Sequence, residues 1–290
     1  MSSSTVIGIV GGTGLYNLEG LTEQRWVRVD SPFGTPSDEL LFGKLGDQRV
    51  VFLPRHGRGH RIPPHEINFL ANIDALKRAG ARSVISVSAV GSLNADLPPG
   101  TFVLVDQMID RTLRRPKTFF GTGCVAHVSV GHPTCRRLLE DLGESAERMD
   151  LPFRAGGTYV VMEGPQFSTM AESELHREWR ADVIGMTNMP EAKLAREAEL
   201  CYATVAMVTD FDCWHPDHDH VEVSEVVKVM HANAASARKL LVDVIPRISE
   251  DACPFGCDRA LEHAILTAPS ARDPQLVAKL DAVAGRVLNR

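Results

Sequence analysis

The chain has 290 residues, of which 44% are hydrophobic and 6% aromatic, and its formal net charge is −6. This length fits one large α/β domain or two small ones, and the negative charge argues against a general affinity for nucleic acid. Because the sequence contains neither a run of roughly eighteen apolar residues nor a leader-like start, we expect a cytoplasmic protein that does not associate with membranes.

Apolar runs typical of buried strands recur along the chain, and helical patterns fall between them. Strands are predicted at residues 5–10, 49–54, 83–88, 101–107, 158–162, 182–186 and 202–208. Helices are predicted at residues 65–79, 169–179, 191–200 and 224–245, with a last amphipathic helix that begins near Asp273. This alternation predicts an α/β fold, a single domain with a central mixed, mostly parallel β-sheet flanked by helices.

Two carboxylates follow the last predicted strand, in the segment Thr209-Asp210-Phe211-Asp212-Cys213-Trp214. Alternation in an extended backbone places Asp210 and Asp212 on the same side. Open α/β sheets bind ligands at the carboxyl ends of their strands, and two acids there suit a ligand edge rich in N–H donors, such as the amidine edge of adenine. Taken alone, the same pattern is more typical of a solvated acidic loop.

Four other strand ends carry hydrogen-bond donors that suit an anion. These donors are Thr13 after Gly11-Gly12, Arg55 with His56, Ser88 before Ala89, and Thr187. The first turn resembles a dinucleotide fingerprint, but it lacks the G-x-G-x-x-G spacing and the acidic partner. Arginine can bind phosphate in a bidentate manner, and glycines allow the backbone to approach closely. The four strand ends together favour one convergent anion site over four unrelated loops.

Two groups of potential metal ligands lie in the C-terminal half. The histidines between residues 215 and 220 have no partner cluster with metal-ligand spacing, which favours a solvated loop. Cys253 and Cys257 form a C-x-x-x-C pair without a second pair, a weak zinc signal, and two unbonded thiols are the favoured interpretation. Cys201 and Cys213 lie in apolar surroundings and are expected to be inert core residues. We therefore predict no metal site.

Six motifs occur together in an order and spacing typical of one family. They are Gly11-Gly12-Thr13-Gly14, Pro54-Arg55-His56-Gly57, Ser88-Ala89-Val90-Gly91-Ser92, Glu163-Gly164-Pro165-Gln166-Phe167-Ser168, Gly185-Met186-Thr187-Asn188-Met189-Pro190-Glu191 and Thr209-Asp210-Phe211-Asp212-Cys213-Trp214. On these residues the chain resembles the 5′-methylthioadenosine phosphorylases of the purine nucleoside phosphorylase superfamily, from about residue 5 to residue 247. The resemblance implies a nucleoside phosphorylase catalytic domain at residues 1–248 and a C-terminal extension at 249–290 that packs on the same domain.

The resemblance also implies a role for each matched position. The phosphate positions fall on Thr13, Arg55, His56, Ser88, Ala89 and Thr187. Substrate positions fall on Met186 for the ribose, on Phe167 with Ser168 for the purine pocket, and on Asp210 with Asp212 for the purine edge. The positions around the 5′ substituent fall on Val223 and Val226, and His127 matches a histidine contributed across a subunit interface.

The reaction implied by the resemblance is phosphorolysis of S-methyl-5′-thioadenosine to adenine and 5-methylthioribose 1-phosphate. Inorganic phosphate is then the nucleophile and a co-substrate, so neither a metal nor an organic cofactor is expected. Asp210, protonated because of burial, is the candidate general acid toward purine N7, and Asp212 can accept from the exocyclic amine. The implied partners are a small-molecule nucleoside and phosphate, and the implied assembly is a homotrimer with shared active sites.

Three alternatives stay open. The enzyme could act on methylthioinosine or another 6-oxopurine nucleoside, although such family members tend to carry Asn at the purine edge, where this chain has Asp210 and Asp212. From different classes, the chain could be a dinucleotide-dependent reductase, against which the missing fingerprint counts, or a catalytically silent nucleotide-binding module. The complete set of donors argues against the silent module.

Residues 111–135 form a long segment with little helical periodicity. Its apolar side chains are Phe119, Phe120, Val125, Val128 and Val130. A loop of this length in a compact domain is usually functional or covered, and exposed apolar patches often mark interfaces. We expect this segment, with His127, to lie at a subunit interface.

Overall fold

The computed structural model describes residues 5–12, 14–215 and 223–289, and it describes only the backbone of residues 223–226. The strands are β1 Val6–Gly11, β2 Leu21–Val27, β3 Leu40–Leu45, β4 Gln48–Pro54, β5 Ala81–Ser92, β6 Phe102–Val105, β7 Gln107–Asp110, β8 Phe153–Ala155, β9 Thr158–Val161, β10 Val183–Gly185 and β11 Cys201–Asp210. The helices are α1 Phe69–Arg78, α2 Arg136–Arg148, α3 Met170–Glu178, α4 Asn188–Glu197, α5 Val223–Val244, α6 Pro274–Lys279 and α7 Asp281–Leu288.

The strands form one sheet whose middle is β5. This strand pairs in parallel with β1 on one side and with β11 on the other, and its last residues pair antiparallel with β10. Beyond β1 the sheet continues through β4, β3 and β2, the last three joined by antiparallel pairing. The parallel pairs β10–β9, β7–β9 and β6–β8 complete it, and β6 pairs antiparallel with β11. The predicted single α/β domain with a mixed, mostly parallel sheet is confirmed.

Alternation along the central strands divides the apolar side chains between two cores. In β1, Val6 and Val10 belong to the core that also receives α1, α4 and α7, whereas Ile7 and Ile9 belong to the core that receives α2 and α5. In β5, Val84 and Ile85 divide in the same way. Because both faces of the sheet are covered, its central strands are apolar on both sides, as parallel strands generally are. Within the described residues, no helix combines the length and the apolar character needed to cross a bilayer.

Several predicted boundaries differ from the structure. The strand predicted to end at Ser88 continues to Ser92, because pairing with β11 and β10 extends it. The strand predicted at residues 101–107 is two strands, since β6 pairs with β11 and β7 pairs with β9. The helix predicted from residue 65 begins at Phe69, where the Asn68 side chain accepts from the Ala71 N–H, and it ends before Gly80 at a φ of +90°.

Part of the expectation for residues 111–135 is wrong, since Phe119 and Phe120 are buried in the core of their own chain. Phe119 meets the Phe33 ring edge-on with 4.9 Å between centroids. Its N–H donates to a carboxylate oxygen of Glu197 at 2.7 Å, so this backbone is tied down from within the subunit. Val125 and Val130, by contrast, are exposed on the surface of the chain.

The C-terminal segment packs on the main sheet through its own apolar residues. Leu261, Leu280 and Val283 are buried in the same core as α1 and α4. The Asp273 side chain caps α6 by accepting from the Gln275 N–H at 2.8 Å, which places the start of this helix where the sequence predicts it.

Candidate active site

A cavity of about 520 Å³ opens where β1, β4 and β11 end, beside the last third of β5 and the residues after β10. Carboxyl ends of neighbouring parallel strands meet at one edge of a sheet, which is why residues distant in sequence converge here. The predicted site residues that line the cavity are Arg55, His56, Ser88, Ala89, Phe167, Met186, Thr187, Asp210 and Asp212. One cavity therefore unites the carboxylate pair with most of the predicted anion donors.

Asp210 is the last residue of β11, and both of its carboxylate oxygens accept hydrogen bonds. The Thr209 hydroxyl donates to Oδ2 at 2.7 Å, and the Asp212 backbone N–H donates to Oδ1 at 2.8 Å. Burial raises the pKa of Asp210 above its usual range, and the neighbouring Asp212 carboxylate raises it further, against these two hydrogen bonds. The environment thus favours a carboxyl group that retains its proton.

Asp212 differs from the extended conformation that alternation predicts. Its φ is +54°, because the chain leaves β11 in a tight turn that closes on the Asp210 carboxylate. The prediction that Asp212 continues the extended strand is therefore wrong. Asp212 nevertheless lines the cavity together with Asp210. Asp212 is buried, and among the described residues no donor reaches its Oδ2. Because Asp212 lines the cavity, its carboxylate can accept an N–H from a molecule bound there.

Gly91 makes the approach of β5 to the two acids possible. A Cβ atom at Gly91 would lie 2.9 Å from Asp210 Oδ1 and 3.3 Å from the Asp212 nitrogen. Both distances are shorter than ordinary van der Waals contact, so a larger side chain would displace the carboxylate or its donor. The small residue here is therefore a requirement of the site.

Three hydroxyl groups lie close together at the cavity. The Ser88 and Thr187 hydroxyl oxygens are 3.0 Å apart, and the Tyr159 hydroxyl is 3.3 Å from that of Ser88. Tyr159 lies fully inside the protein, and burial raises the pKa of its phenol, so it stays a neutral hydroxyl. Ser88 and Thr187 both line the cavity, as the anion hypothesis requires.

His56 adds an imidazole to this hydroxyl group. Its Nδ1 lies 2.9 Å from the Ile62 carbonyl oxygen, so Nδ1 carries a proton and donates it. Burial lowers the pKa of His56 to about 4; the Ile62 carbonyl opposes this shift, and the positive charge of Arg55 and the neighbouring His60 add to it. The ring stacks on His60 with 4.2 Å between centroids. At neutral pH His56 is uncharged and offers Nε2 as an acceptor.

Hydrogen bonds within the chain hold the Arg55 guanidinium, so it is not free for a bidentate contact. Its Nε and Nη2 donate to the two carboxylate oxygens of Glu191 at 2.9 and 3.0 Å, and Nη1 donates to the Val87 carbonyl at 3.2 Å. Both partners are almost fully buried. Since the guanidinium fork is already occupied, the bidentate phosphate contact expected from Arg55 is not available in this arrangement. Its positive charge still lies at the cavity wall.

A polar network under the cavity was not predicted from the sequence. The Tyr202 hydroxyl and the Ser86 hydroxyl each donate to Glu191 Oε1 at 2.8 Å. The Asn188 side-chain amide donates to Tyr202 at 2.6 Å and to Thr204 at 2.8 Å. Glu191 and Asn188 stand in a motif that the sequence singles out, but a glutamate in the first turn of a helix gives no sign that it is buried. The network makes the end of β4 rigid relative to α4.

Apolar side chains form another part of the cavity wall. Met186 and Phe167 line it, and Phe167 is 48% exposed. The Arg115 guanidinium donates to the Met186 carbonyl at 2.6 Å, which fixes the chain after β10. From α5, Met230 and Ala234 complete the wall. Neither residue is predicted from the sequence as part of the site, although the helix that carries them is.

Some predicted site residues are not placed in the cavity. Ser168 does not line it, and the Ser168 carbonyl instead accepts from the Cys213 thiol at 3.5 Å. His127 lies on the surface, where its N–H donates to the Ala264 carbonyl at 2.9 Å. Thr13 lies outside the described residues, as do the side chains of Val223 and Val226. The histidine loop beyond residue 215 is outside the described residues as well.

The chain is similar to known proteins in both sequence and structure. A model of the phosphorylase superfamily matches residues 6–246. The chain is 56% identical to an S-methyl-5′-thioadenosine phosphorylase of Cereibacter sphaeroides, across 98% of this chain and 99% of the relative. It is 57% identical to the enzyme of the same name from Rhodospirillum rubrum, across 98% of this chain and 97% of the relative.

Solved structures agree with the sequence relatives. A methylthioadenosine phosphorylase from an Antarctic soil metagenomic library superposes with a TM-score of 0.91 at 44% identity, across 97% of this chain and 99% of that chain. The methylthioadenosine phosphorylase of Schistosoma mansoni in complex with adenine gives a TM-score of 0.83 at 36% identity, across 93% of this chain and 100% of that chain. The chain therefore belongs to the phosphorylase superfamily, and within it to the S-methyl-5′-thioadenosine phosphorylase family.

Proposed function

We propose that this chain catalyses the phosphorolysis of S-methyl-5′-thioadenosine to adenine and 5-methylthioribose 1-phosphate. The observation that carries the proposal is one cavity lined both by the carboxylate pair Asp210 and Asp212 and by Ser88, Thr187 and His56. The carboxylate pair suits the donor-rich edge of adenine, and the second group suits phosphate. The name shared by the sequence relatives supports this reading.

The two carboxylates have different tasks in this proposal. Asp210, whose pKa is raised by burial, protonates N7 of the purine, so that the base leaves as a neutral molecule. The Asp212 carboxylate, which lines the cavity, accepts a hydrogen bond from the exocyclic amine. A 6-oxopurine has no donor at that position and would leave this carboxylate without a partner, which disfavours methylthioinosine and its relatives as substrates.

Phosphate serves as the nucleophile, and its negative charge stabilises the oxocarbenium-like transition state. Ser88 and Thr187 donate their hydroxyls to it, and Ala89 and Thr13 belong to the same proposed phosphate site. Neutral His56 accepts a phosphate O–H at Nε2, since its Nδ1 proton is engaged by Ile62. Arg55 supplies positive charge from its buried ion pair. No metal or organic cofactor takes part in these steps.

We place the methylthio group of the substrate against the start of α5. Val223 and Val226 are the proposed contacts, and the apolar Met230 and Ala234 farther along the same helix already line the cavity. Met186 is the proposed ribose contact, and Phe167 with Ser168 the proposed purine contacts. A reductase does not fit membership of the phosphorylase superfamily. A catalytically silent binding module would have no use for a carboxyl group with a raised pKa such as Asp210.

The proposed assembly is a homotrimer in which a neighbouring subunit completes each site. His127 is exposed and lies away from the cavity of its own chain, so a role in catalysis requires another subunit. The Val125 carbonyl accepts from the N–H of Leu266, so these two exposed apolar residues are neighbours on the surface. The cytoplasmic location stays a prediction.

The deciding experiment is to measure adenine release from S-methyl-5′-thioadenosine with phosphate, with arsenate and with neither. Dependence on phosphate or arsenate is the expected result, with 5-methylthioribose 1-phosphate as the second product when phosphate is present. Release at the same rate without either anion would identify a hydrolase instead. Parallel assays with adenosine, inosine and 5′-methylthioinosine measure the preference for the base and for the 5′ group.

A further inference from the structure

Four cysteines from distant parts of the chain meet inside the protein, away from the cavity of the active site. They are Cys135, Cys201, Cys253 and Cys257, and their sulfur atoms all lie within 4.8 Å of one another. Each of the four is at most 3% exposed. Cys135 directly precedes α2, Cys201 is the first residue of β11, and the other two belong to the C-terminal segment. We call this group the four-cysteine cluster.

The spacing of the sulfur atoms fits a tetrahedral metal site. A Zn–S bond of about 2.3 Å in a regular tetrahedron separates the ligand sulfurs by about 3.8 Å. The Cys135 and Cys253 sulfurs are 3.7 Å apart. This is too long for a disulfide bond, and each of the six cysteines is a free thiol in the structure. Four soft ligands of one kind in one place are the donor set that structural zinc sites use.

The backbone holds the two cysteines of the extension in position. Gly256 adopts a φ of +72°, and its N–H donates to the Cys253 carbonyl at 3.0 Å, which turns the chain back between the two thiols. The Cys253 N–H is itself bound by an Asp258 carboxylate oxygen at 3.1 Å. The short loop thus directs both sulfurs toward the same point without the metal.

A positive side chain lies against the cluster. Arg137 Nη2 is 3.7 Å from the Cys201 sulfur, and its Nη1 donates to the Asp251 carbonyl at 2.9 Å. A divalent ion with four thiolates carries a net charge of −2. A guanidinium beside it offsets part of that charge in a buried environment, where an isolated charge would be costly.

We propose that the four-cysteine cluster binds one divalent metal ion of the soft tetrahedral class, with zinc as the expected occupant. On binding, each thiol releases its proton to solvent and the four thiolates fill the coordination shell. With four protein ligands and no open position, the site is structural and takes no part in phosphorolysis. It joins the C-terminal segment to α2 and to the start of β11, the strand whose other end carries Asp210.

This proposal departs from the sequence-based predictions of no metal site, of an inert Cys201 and of two unbonded thiols at Cys253 and Cys257. The missing second pair of ligands exists, but Cys135 and Cys201 are far apart in sequence and meet only in the fold.

The test begins with the wild-type protein, purified under reducing conditions without chelator. Elemental analysis should give about one zinc ion per chain. After removal of zinc, Co²⁺ should bind with the absorption bands of tetrahedral thiolate coordination. The chelator should also lower the thermal midpoint of the wild type, and added zinc should restore it.

Two matched variants locate the metal. Cys253→Ser should lose most of the bound zinc, whereas Cys124→Ser should retain it, because Cys124 is equally buried but lies outside the cluster. Equal zinc content in the two variants would overturn the assignment. So would wild-type protein that neither contains zinc nor takes it up after reduction, or thiol titration of the unfolded chain that finds the cluster oxidised to disulfides.

Discussion

At the scale of residues, the two acids after β11 show how one short motif supplies two different groups. Asp210 accepts from its own chain at both oxygens, whereas no donor among the described residues reaches Oδ2 of the buried Asp212. Burial and the nearby carboxylate favour the protonated form of Asp210. One acid is thereby suited to donate a proton and the other to accept a hydrogen bond, although both are aspartates.

Asp210→Asn tests the proton donor. An amide cannot transfer a proton to N7, so adenine release from S-methyl-5′-thioadenosine should fall by roughly 10²-fold in kcat/KM. The loss for 5′-methylthioinosine should be smaller, because an amide can donate to and accept from a 6-oxopurine edge. Steady-state kinetics with both substrates measure the ratio. Unchanged kinetics with the adenine substrate would remove Asp210 from the mechanism.

The lowered pKa of His56 predicts how the stability of the folded chain depends on pH. Its pKa is about 4 in the folded chain against a usual 6.5, so the unfolded chain binds the proton first as the pH falls. The free energy of unfolding therefore decreases from pH 6.5 toward pH 4, and His56 accounts for roughly 2 kcal/mol of the loss between pH 7 and pH 5.

Denaturant unfolding of the wild type and of His56→Gln at both pH values, in buffer without phosphate, measures this contribution. The variant should lose less stability over the interval, because glutamine does not titrate. A parallel decrease in the two proteins would show that His56 titrates normally.

At the scale of elements, the length of β5 determines the site. The strand runs from Ala81 to Ser92, past the point where its sequence suggests a turn, and so brings Ser88, Ala89 and Gly91 along the cavity. The chain after the antiparallel strand β10 then brings the Thr187 hydroxyl next to that of Ser88. The proposed anion donors are therefore arranged by strand pairing rather than by a flexible loop.

Gly91→Ala tests this close packing of strands. The added Cβ would lie 2.9 Å from Asp210 Oδ1, so we expect a large loss of adenine release with the fold retained. Gly143→Ala is the matched control, since its Cβ would meet nothing nearer than 3.7 Å. In the middle of α2 this control should keep full activity and gain a little stability. Circular dichroism and kinetics separate the outcomes, and an active Gly91→Ala enzyme would contradict the proposed role of Asp210.

At the scale of the whole molecule, the main question is what covers the surface around His127. Val125 and Val130, close to it in sequence, are exposed. If these residues form a subunit interface, each active site contains groups from two chains. The four-cysteine cluster, by contrast, brings together residues of a single chain.

Mixed assemblies test the shared site, once light scattering has established that the protein is a trimer. His127→Ala subunits are combined with Asp210→Asn subunits and reassembled. A shared site produces some active sites with both defects and some with neither, so the mixture should exceed the average activity of its two parents. His132→Ala, an exposed histidine of the same segment, replaces His127→Ala in the control. Activity equal to the average, or a monomer in solution, would defeat the proposal.

The sequence by itself was sufficient for the α/β class, the capped start of α3, the glycine stop after α1 and the acids at the end of β11, since each depends on local periodicity or on one residue type. Only the tertiary structure decided that Glu191 occupies the Arg55 fork, that Phe119 is buried, and that Asp212 turns away from the strand direction. It alone brought the four cysteines together. These features depend on contacts between residues far apart in the chain, and such contacts leave no periodic trace in a single sequence because either partner alone is an ordinary residue.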